Sequence, residues 1–178
     1  EVYRFRPLIV SGGFDGVLLK PFPALLRVLV GGPDFIDLGI LVVLLAAFIS
    51  VLFTLRPDIT SVFGFLVLFI CSLAISTAFH IFVLGIGIIT LSVDHLIMIY
   101  RDFTALMRIP VDFFSDSLRV LFTFVVPLGI MFTFPAKVLM GLLSTQNILL
   151  SVLLSVSSIF LALRFWKYSL THYQSASS

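Results

Sequence analysis

The fold class is decided by residues 38–55, LGILVVLLAAFISVLFTL, which contain no charged side chain. Asp34 and Asp37 precede this stretch, and Arg56, Pro57 and Asp58 follow it. A helix of about 20 mostly apolar residues crosses the hydrocarbon core of a bilayer, which is about 30 Å thick. Because lipid offers no hydrogen-bond partners, the backbone of such a stretch must be helical. Residues 38–55 are therefore predicted to span a membrane.

The composition of the whole chain also indicates a membrane protein. Apolar residues make up 60% of the 178 positions and charged residues only 11%, a balance that a water-exposed surface does not sustain. The formal net charge is +2 and no basic run is interleaved with aromatic residues, so no nucleic-acid partner is expected. The single cysteine, Cys71, excludes an intrachain disulfide and a multi-cysteine metal site. We expect no bound metal.

Residues 59–99 form a second apolar region, which is too long for one untilted crossing. We predict two spans in it, at 59–78 and 79–99. The reversal between them is placed near Ser76 to His80, although no proline or glycine marks a turn there.

Two more regions enter the membrane in this interpretation. Residues 110–141 contain Pro127, Gly129 and Pro135, and proline inside a helix removes a backbone hydrogen bond. This region is therefore predicted to be broken or re-entrant. Residues 146–166 form the last predicted span, which ends in the mixture of aromatic and basic residues that is typical of a membrane interface.

The distribution of Lys and Arg leaves the number of crossings in residues 59–99 open, because cytoplasmic loops carry the excess of these residues. If the region crosses once, nine basic residues lie inside and two outside. If it crosses twice, and residues 110–141 dip into the outer leaflet and return to the same side, six basic residues lie inside and five outside. Charge favours one crossing, whereas length favours two.

Residues 1–36 precede the first span and are predicted to be cytoplasmic. Pro21 and Pro23 interrupt any helix through them, but Pro23 suits the first turn of a short helix that ends at Val30. Arg27 lies among leucine and valine residues in this helix. The pattern fits either an anchor at the membrane surface or a docking element for a cytoplasmic partner.

Four motifs, in this order along nearly the whole chain, resemble the ABC-2 type permease family, in particular a six-span bacterial branch. The motifs are Gly13-Phe14-Asp15-Gly16-Val17-Leu18-Leu19-Lys20-Pro21; Ile109-Pro110 with Phe113-Phe114 and Leu118-Arg119; Val126-Pro127-Leu128 with Phe134-Pro135-Ala136; and Phe165-Trp166-Lys167-Tyr168-Ser169-Leu170 with Tyr173-Gln174-Ser175-Ala176-Ser177-Ser178.

The resemblance implies an all-α, polytopic transmembrane helical bundle of the type V exporter kind. Such permeases have six spans, so the first two would lie upstream of Glu1. Two permease halves surround a central pathway in the bacterial cytoplasmic membrane. A hairpin in the outer leaflet before the last span is usual in the fold, which favours two crossings of residues 59–99.

The resemblance also implies that Val17 to Val30 form a coupling helix that docks on a separate ATP-hydrolysing subunit. The candidate contacts are Lys20, Pro21 and Arg27. No Gly-x-x-x-x-Gly-Lys-[Ser/Thr] phosphate loop occurs in the sequence, and the glycine-rich residues 12–16 are interpreted as a turn. The chain is therefore expected to hold no cofactor of its own, with ATP bound by the partner subunit.

Polar and small residues within the apolar runs are the remaining candidates. Ionisable residues at membrane depth are costly and are often functional. Three are predicted to be either polar residues of the transport pathway or hydrogen-bonded residues near helix ends: His80, Asp94 and His95. Small residues let helices approach closely in lipid. Four at helical spacing predict a helix-packing stripe on the last span: Ser151, Ser155, Ser158 and Ala162.

Two functions other than transport fit the composition. A membrane-embedded lipid or glycan-processing enzyme would need convergent carboxylates or histidines, and the sequence offers only scattered ones. A membrane scaffold without transport activity has no distinguishing sequence feature. The permease subunit is the interpretation that the motifs favour.

Overall fold

The computed structural model describes residues 2–30, 35–90 and 94–174. Within these ranges the chain is helical and has no strand, which confirms the all-α prediction. The helices are α1 (Val2–Val10), α2 (Gly13–Leu18), α3 (Ala24–Val30), α4 (Phe35–Leu55), α5 (Ile59–Thr90), α6 (Asp94–Leu106), α7 (Asp116–Val120), α8 (Phe134–Leu139) and α9 (Thr145–Thr171). A 3-10 turn at Val111–Phe113 and π-helical segments at Leu121–Val125 and Gly129–Thr133 complete the connections.

Three helices of the described ranges, α4, α5 and α9, are long and apolar enough to cross a membrane. Helix α4 has no buried residue, and its Phe48 stacks on Phe65 of α5 with ring centroids 4.9 Å apart. An apolar surface of this kind suits contact with lipid, because lipid tails are as apolar as the side chains of a protein core.

The reversal predicted near Ser76 to His80 is wrong, because α5 is one continuous helix from Ile59 to Thr90. The predicted spans 59–78 and 79–99 are therefore replaced by α5 and the beginning of α6. At 1.5 Å per residue, the 32 residues of α5 extend about 48 Å, which is longer than the hydrocarbon core. The last turns of α5 pack on α1 to α3, so tertiary contacts explain the extra length.

Helices α5 and α9 form the main helix pair and run parallel. A Cβ atom added to Gly64, near the start of α5, would lie 3.7 Å from Cδ1 of Ile148, near the start of α9. A Cβ atom added to Gly85, near the end of α5, would lie 2.7 Å from Cε1 of Phe165. Because both helices run in one direction, the chain must return along the bundle between Thr90 and Thr145.

The return begins with α6, which lies beside α5 at Tyr100. The Tyr100 hydroxyl is 3.1 Å from Ser76 Oγ, and the Tyr100 ring stacks on Phe79 with centroids 4.4 Å apart. Residue 100 therefore lies level with residues 76–79, so α6 runs antiparallel to α5. With 13 residues, α6 is about 20 Å long.

A sharp bend follows α6. The segments Asp116–Val125 and Gly129–Leu139 meet at an angle of 85° across a break that contains Pro127. Gly129 permits the two arms to approach, because a Cβ atom there would lie 2.7 Å from Thr123 Oγ1. The amide of Val111 donates to Thr133 Oγ1 at 3.2 Å, and the Ser72 hydroxyl donates to the Ile130 carbonyl at 3.3 Å. The first bond joins the turn at Val111 to the bend, and the second holds the bend against α5.

Helices α1, α2 and α3 pack against the final turns of α5 and α9, and we call this end of the bundle the docking end. Phe5, Phe14 and Val28 share one apolar core with Leu84 of α5 and Trp166 of α9. The opposite end carries the Arg56 turn and the start of α9. Residues 2–30 are therefore attached to the bundle rather than forming a separate unit.

Candidate functional site

Four aromatic side chains fasten the docking end together. Phe14 is fully buried and makes edge contacts with three rings, at centroid distances of 5.3 Å to Phe5, 6.4 Å to Trp166 and 5.2 Å to Tyr173. Aromatic pairs in this geometry stabilise a fold beyond the burial of their area. We call these four residues the aromatic clamp, because it joins α1 and α2 to the end of α9.

The glycine-rich residues 12–16 form the turn that places Phe14 in the clamp. Gly12 has φ of 73°, a left-handed conformation that side chains with a Cβ atom rarely adopt. Helix α2 begins directly after it, at Gly13. The turn predicted for this motif therefore leads straight into a buried anchor.

A hydrogen bond between the two ends of the chain lies beside the clamp. The Tyr173 hydroxyl donates to Oδ1 of Asp15 at 2.9 Å, across 158 residues of sequence. Burial raises the pKa of Tyr173 to about 12, and the hydrogen bond and the negative charge of Asp15 act in the same direction. Tyr173 therefore remains a neutral donor throughout the physiological pH range.

The stability of this contact should fall at alkaline pH. A pKa raised above the ordinary value of about 10 means that the contribution is complete below pH 10 and is lost as the pH rises through about 12. We expect Asp15→Asn to lower the pKa of Tyr173 toward 10. Ultraviolet titration of tyrosinate measures this shift. The Tyr173→Phe variant identifies the part of the titration that comes from Tyr173. Tyr168→Phe, at an exposed residue, is the control. An unchanged titration in Asp15→Asn would contradict the assignment.

The exposed surface of the docking end combines basic and apolar side chains, and we call it the coupling face: Lys20, Pro21, Phe22 and Arg27. All four are exposed. Lys20 and Arg27 both line two adjoining cavities of about 450 and about 280 Å³. Neither side chain forms an ion pair with any residue in the described ranges. Two cations without partners beside an exposed phenylalanine can bind an acidic and apolar protein surface.

Helix α3 presents this face because its apolar side points into the protein. Val28 is buried in the core of the docking end, and Leu25 and Leu29 pack against that core. Arg27 and Leu26 point away from it and are exposed. Val30, the last residue of α3, is also exposed, so the outer side of this helix carries apolar as well as basic side chains.

The three predicted pathway residues lie in different surroundings. His80 is half-buried on α5, with Nδ1 2.8 Å from the Ser76 carbonyl oxygen and its ring against Tyr100 at 5.2 Å. His95 is exposed near the start of α6. Asp94 is the first residue of α6, and its side chain lies outside the described part of the chain. His80 lines a cavity of about 380 Å³ between α3 and α5.

The predicted stripe on α9 divides into two kinds of position. Ser151, Ser155 and Ala162 are buried. The Ser151 hydroxyl donates to the Asn147 carbonyl at 2.7 Å, and that of Ser155 donates to the Val152 carbonyl at 2.9 Å. Ser158 is half-buried and lines a different cavity, between α5, α6, α9 and the bend.

No group of three or more His, Cys, Asp or Glu side chains comes together to hold a metal ion in residues 2–30, 35–90 and 94–174. Cys71 is a free, buried thiol.

A family model described as "ABC-2 family transporter protein" matches residues 1–177. The chain belongs to the ABC-2 transporter family. It matches no curated protein and no solved structure. Membership in a family of transport subunits, together with the apolar helices, identifies an ABC transporter permease of the membrane. The family is one of transport subunits rather than enzymes, which argues against the lipid or glycan-processing alternative.

Two features of this ABC-2 chain could not be found from its sequence. Asp15 and Tyr173 both lie in quoted motifs, but nothing local pairs residues so far apart. Phe14 is one of 20 phenylalanines, and its burial depends on the path of α9. The sequence carries one indirect signal, because Asp15 lies in the first family motif and Tyr173 in the last.

Proposed function

We propose that this ABC-2 chain is the membrane-spanning subunit of an exporter that uses ATP hydrolysed by a separate subunit. In this proposal the ATPase docks on the coupling face from the cytoplasm. The membrane is the bacterial cytoplasmic membrane, and a second permease half completes the transport pathway. ATP is assigned to the separate subunit, because this sequence contains no phosphate loop with which to hold it.

The observation that carries the proposal is the attachment of the coupling face to α5 and α9, the main helix pair. Arg27 lies on α3 beside Val28, and Val28 is packed in the same core as Leu84 of α5 and Trp166 of α9. Well-packed cores move as units rather than deforming continuously. A displacement of α3 by a docked ATPase would therefore be transmitted to α5 and α9.

The exposed side chains of the coupling face give the docking its chemistry. Lys20 and Arg27 carry charge that no described residue neutralises, and Phe22 is 54% exposed beside them. Complementary charge fixes the orientation of a partner, and a buried aromatic side chain supplies affinity. We expect the ATPase surface to be acidic around an apolar pocket.

A second permease half is proposed on the basis of the family, and α4 offers surface for it. Helix α4 has no buried residue, so it is available both to lipid and to a second half. Its composition does not distinguish these neighbours. The ATPase contact is therefore the part of the proposal that the structure supports in most detail.

Co-purification tests the proposed function. The chain, with any upstream segment that its reading frame encodes, is expressed together with ABC ATPase subunits from the same genome and extracted in mild detergent. We expect a complex that hydrolyses ATP. The ATPase should be attached to the membrane only when the permease is present. A membrane-embedded enzyme or a scaffold would leave the ATPase in the soluble fraction, and that result would refute the proposal.

A further inference from the structure

A cavity inside the bundle has no role in the docking proposed above. It is a partly open space of about 240 Å³ between α5, α6, α9 and the tip of the bend at Pro127. Aliphatic side chains line part of it, and four aromatic rings and one thioether line another part: Phe79, Phe82, Tyr100, Phe103 and Met131. We call it the aromatic cavity.

The walls of the aromatic cavity suit a flat apolar group. Phe79 and Tyr100 are stacked at 4.4 Å with an interplanar angle of 19°, so they present one continuous wall. Aromatic rings favour offset or edge contacts with other rings, and methionine sulfur favours the edges of rings. Rings therefore gain more at this wall than a flexible acyl chain does, because the chain also loses conformational freedom.

One polar group faces this apolar space without a partner. The Ser158 hydroxyl makes no hydrogen bond to any residue in the described ranges, whereas Ser151, Ser155 and Ser169 on the same helix all donate to carbonyls of α9. Because Ser158 is only half-buried, its hydroxyl is free to donate or accept a hydrogen bond. A ligand with one hydrogen-bonding group would satisfy it.

The size of the cavity limits the ligand. An engineered apolar cavity of about 150 Å³ in another protein binds benzene, so a cavity of about 240 Å³ accepts one or two fused rings. Larger molecules could place only their ring-bearing part in it.

We propose that the aromatic cavity binds a planar apolar ring system that carries one hydrogen-bonding group, held between the Phe79–Tyr100 wall and the Ser158 hydroxyl. The role of such a molecule as exported cargo rests on the proposed function. Binding itself does not, because the cavity lies within one chain and needs no ATPase.

The cavity also adjoins the coupling machinery. Tyr100, which lines it, contacts Ser76 and the His80 ring, and both of these residues line the neighbouring cavity beside Leu29 of α3. A ligand that moves the Tyr100 ring would therefore alter packing next to α3.

The test uses the full chain in nanodiscs without ATPase and a photoreactive diazirine derivative of 2-naphthol as the probe. We expect saturable labelling of peptides that contain Tyr100 or Met131, and competition by unlabelled 2-naphthol. Ser158→Leu, which fills the space and removes the hydroxyl, should reduce labelling at least tenfold. Ser158→Ala should weaken binding about fivefold, the effect of one neutral hydrogen bond.

Ser157→Leu is the matched control, because Ser157 is adjacent on α9 and does not line the cavity. It should leave labelling unchanged within about twofold, a range below the effect of one hydrogen bond. The small Ser158→Ala change guards against misfolding of the leucine variant. Labelling that does not saturate, that is equal in all variants, or that is displaced only by a photoreactive phosphatidylcholine would overturn the proposal. Loss of ATPase docking in the co-purification would leave this result unaffected, so the two proposals fail separately.

Discussion

Phe14→Ala is expected to release α1 to α3 from the bundle at a cost of about 3–5 kcal/mol, the range for removing a buried aromatic side chain. Phe14 is fully buried and contacts three rings of the aromatic clamp, so its loss leaves a cavity at the centre of the docking end. The population of the opened state should rise about 100-fold or more, since each 1.4 kcal/mol is a factor of ten. Trypsin cleavage after Arg27, in purified protein in nanodiscs, measures this opening.

Phe22→Ala is the matched control for this variant. It deletes the same side chain from the same segment, but at a residue that is 54% exposed. Its effect on cleavage should stay within a few-fold, because exposed substitutions usually change stability by less than about 0.5 kcal/mol. Equal cleavage of Phe14→Ala and wild type would show that the clamp does not hold the docking end.

Reversing both charges of the coupling face, Lys20→Glu with Arg27→Glu, is expected to weaken ATPase binding by about 100-fold or more. Like charges opposed across an interface cost several kcal/mol, and 100-fold corresponds to about 2.8 kcal/mol. The purified permease should still fold, because neither side chain is buried or ion-paired in the described structure. Affinity for the ATPase, measured by pull-down over a concentration series at two salt concentrations, reports the loss.

The control for charge reversal lies at the opposite end of the bundle. Arg56→Glu with Arg108→Glu changes the net charge by the same amount, at two exposed residues remote from α3. We expect this pair to bind the ATPase with wild-type affinity. If both pairs lose binding equally, net charge rather than the coupling face governs association.

The long membrane helices were predictable because lipid imposes both length and apolarity on a span. Residues 38–55 and 146–166 lie within α4, Phe35–Leu55, and α9, Thr145–Thr171. The break at Pro127 was predictable for a local reason, since proline cannot continue a helix undisturbed. Each of these signals lies within the segment it describes.

The course of α5 was not predictable in the same way. Its extra length is stabilised by contacts of Leu84 and Ile88 with α1 to α3, which lie more than 50 residues earlier in the sequence. Length alone suggested two helices, and this outweighed the absence of glycine and proline near Ser76, which is typical of a continuous helix. The docking end had to be known before the end of α5 could be placed.

The candidate site shows a similar division. Lys20 and Arg27 were identified from the resemblance, and the structure adds that α3 turns its apolar side inward beneath them. The Asp15–Tyr173 hydrogen bond and the cavity position of Ser158 depend on how distant segments meet. Spacing along α9 could not distinguish Ser158 from the buried Ser155.

Cysteine accessibility tests the central claim most directly, namely that the docking end faces the cytoplasm while α4 and α5 cross the membrane to the Arg56 turn. Cys71, the single native cysteine, is first replaced in Cys71→Ala, and single cysteines are introduced by Lys20→Cys or Asp58→Cys. We predict that a membrane-impermeant maleimide labels the Asp58→Cys protein in intact cells. It should label the Lys20→Cys protein only after the cells are permeabilised. Labelling of the Lys20→Cys protein in intact cells would contradict the account, because no cytoplasmic ATPase could then reach the coupling face.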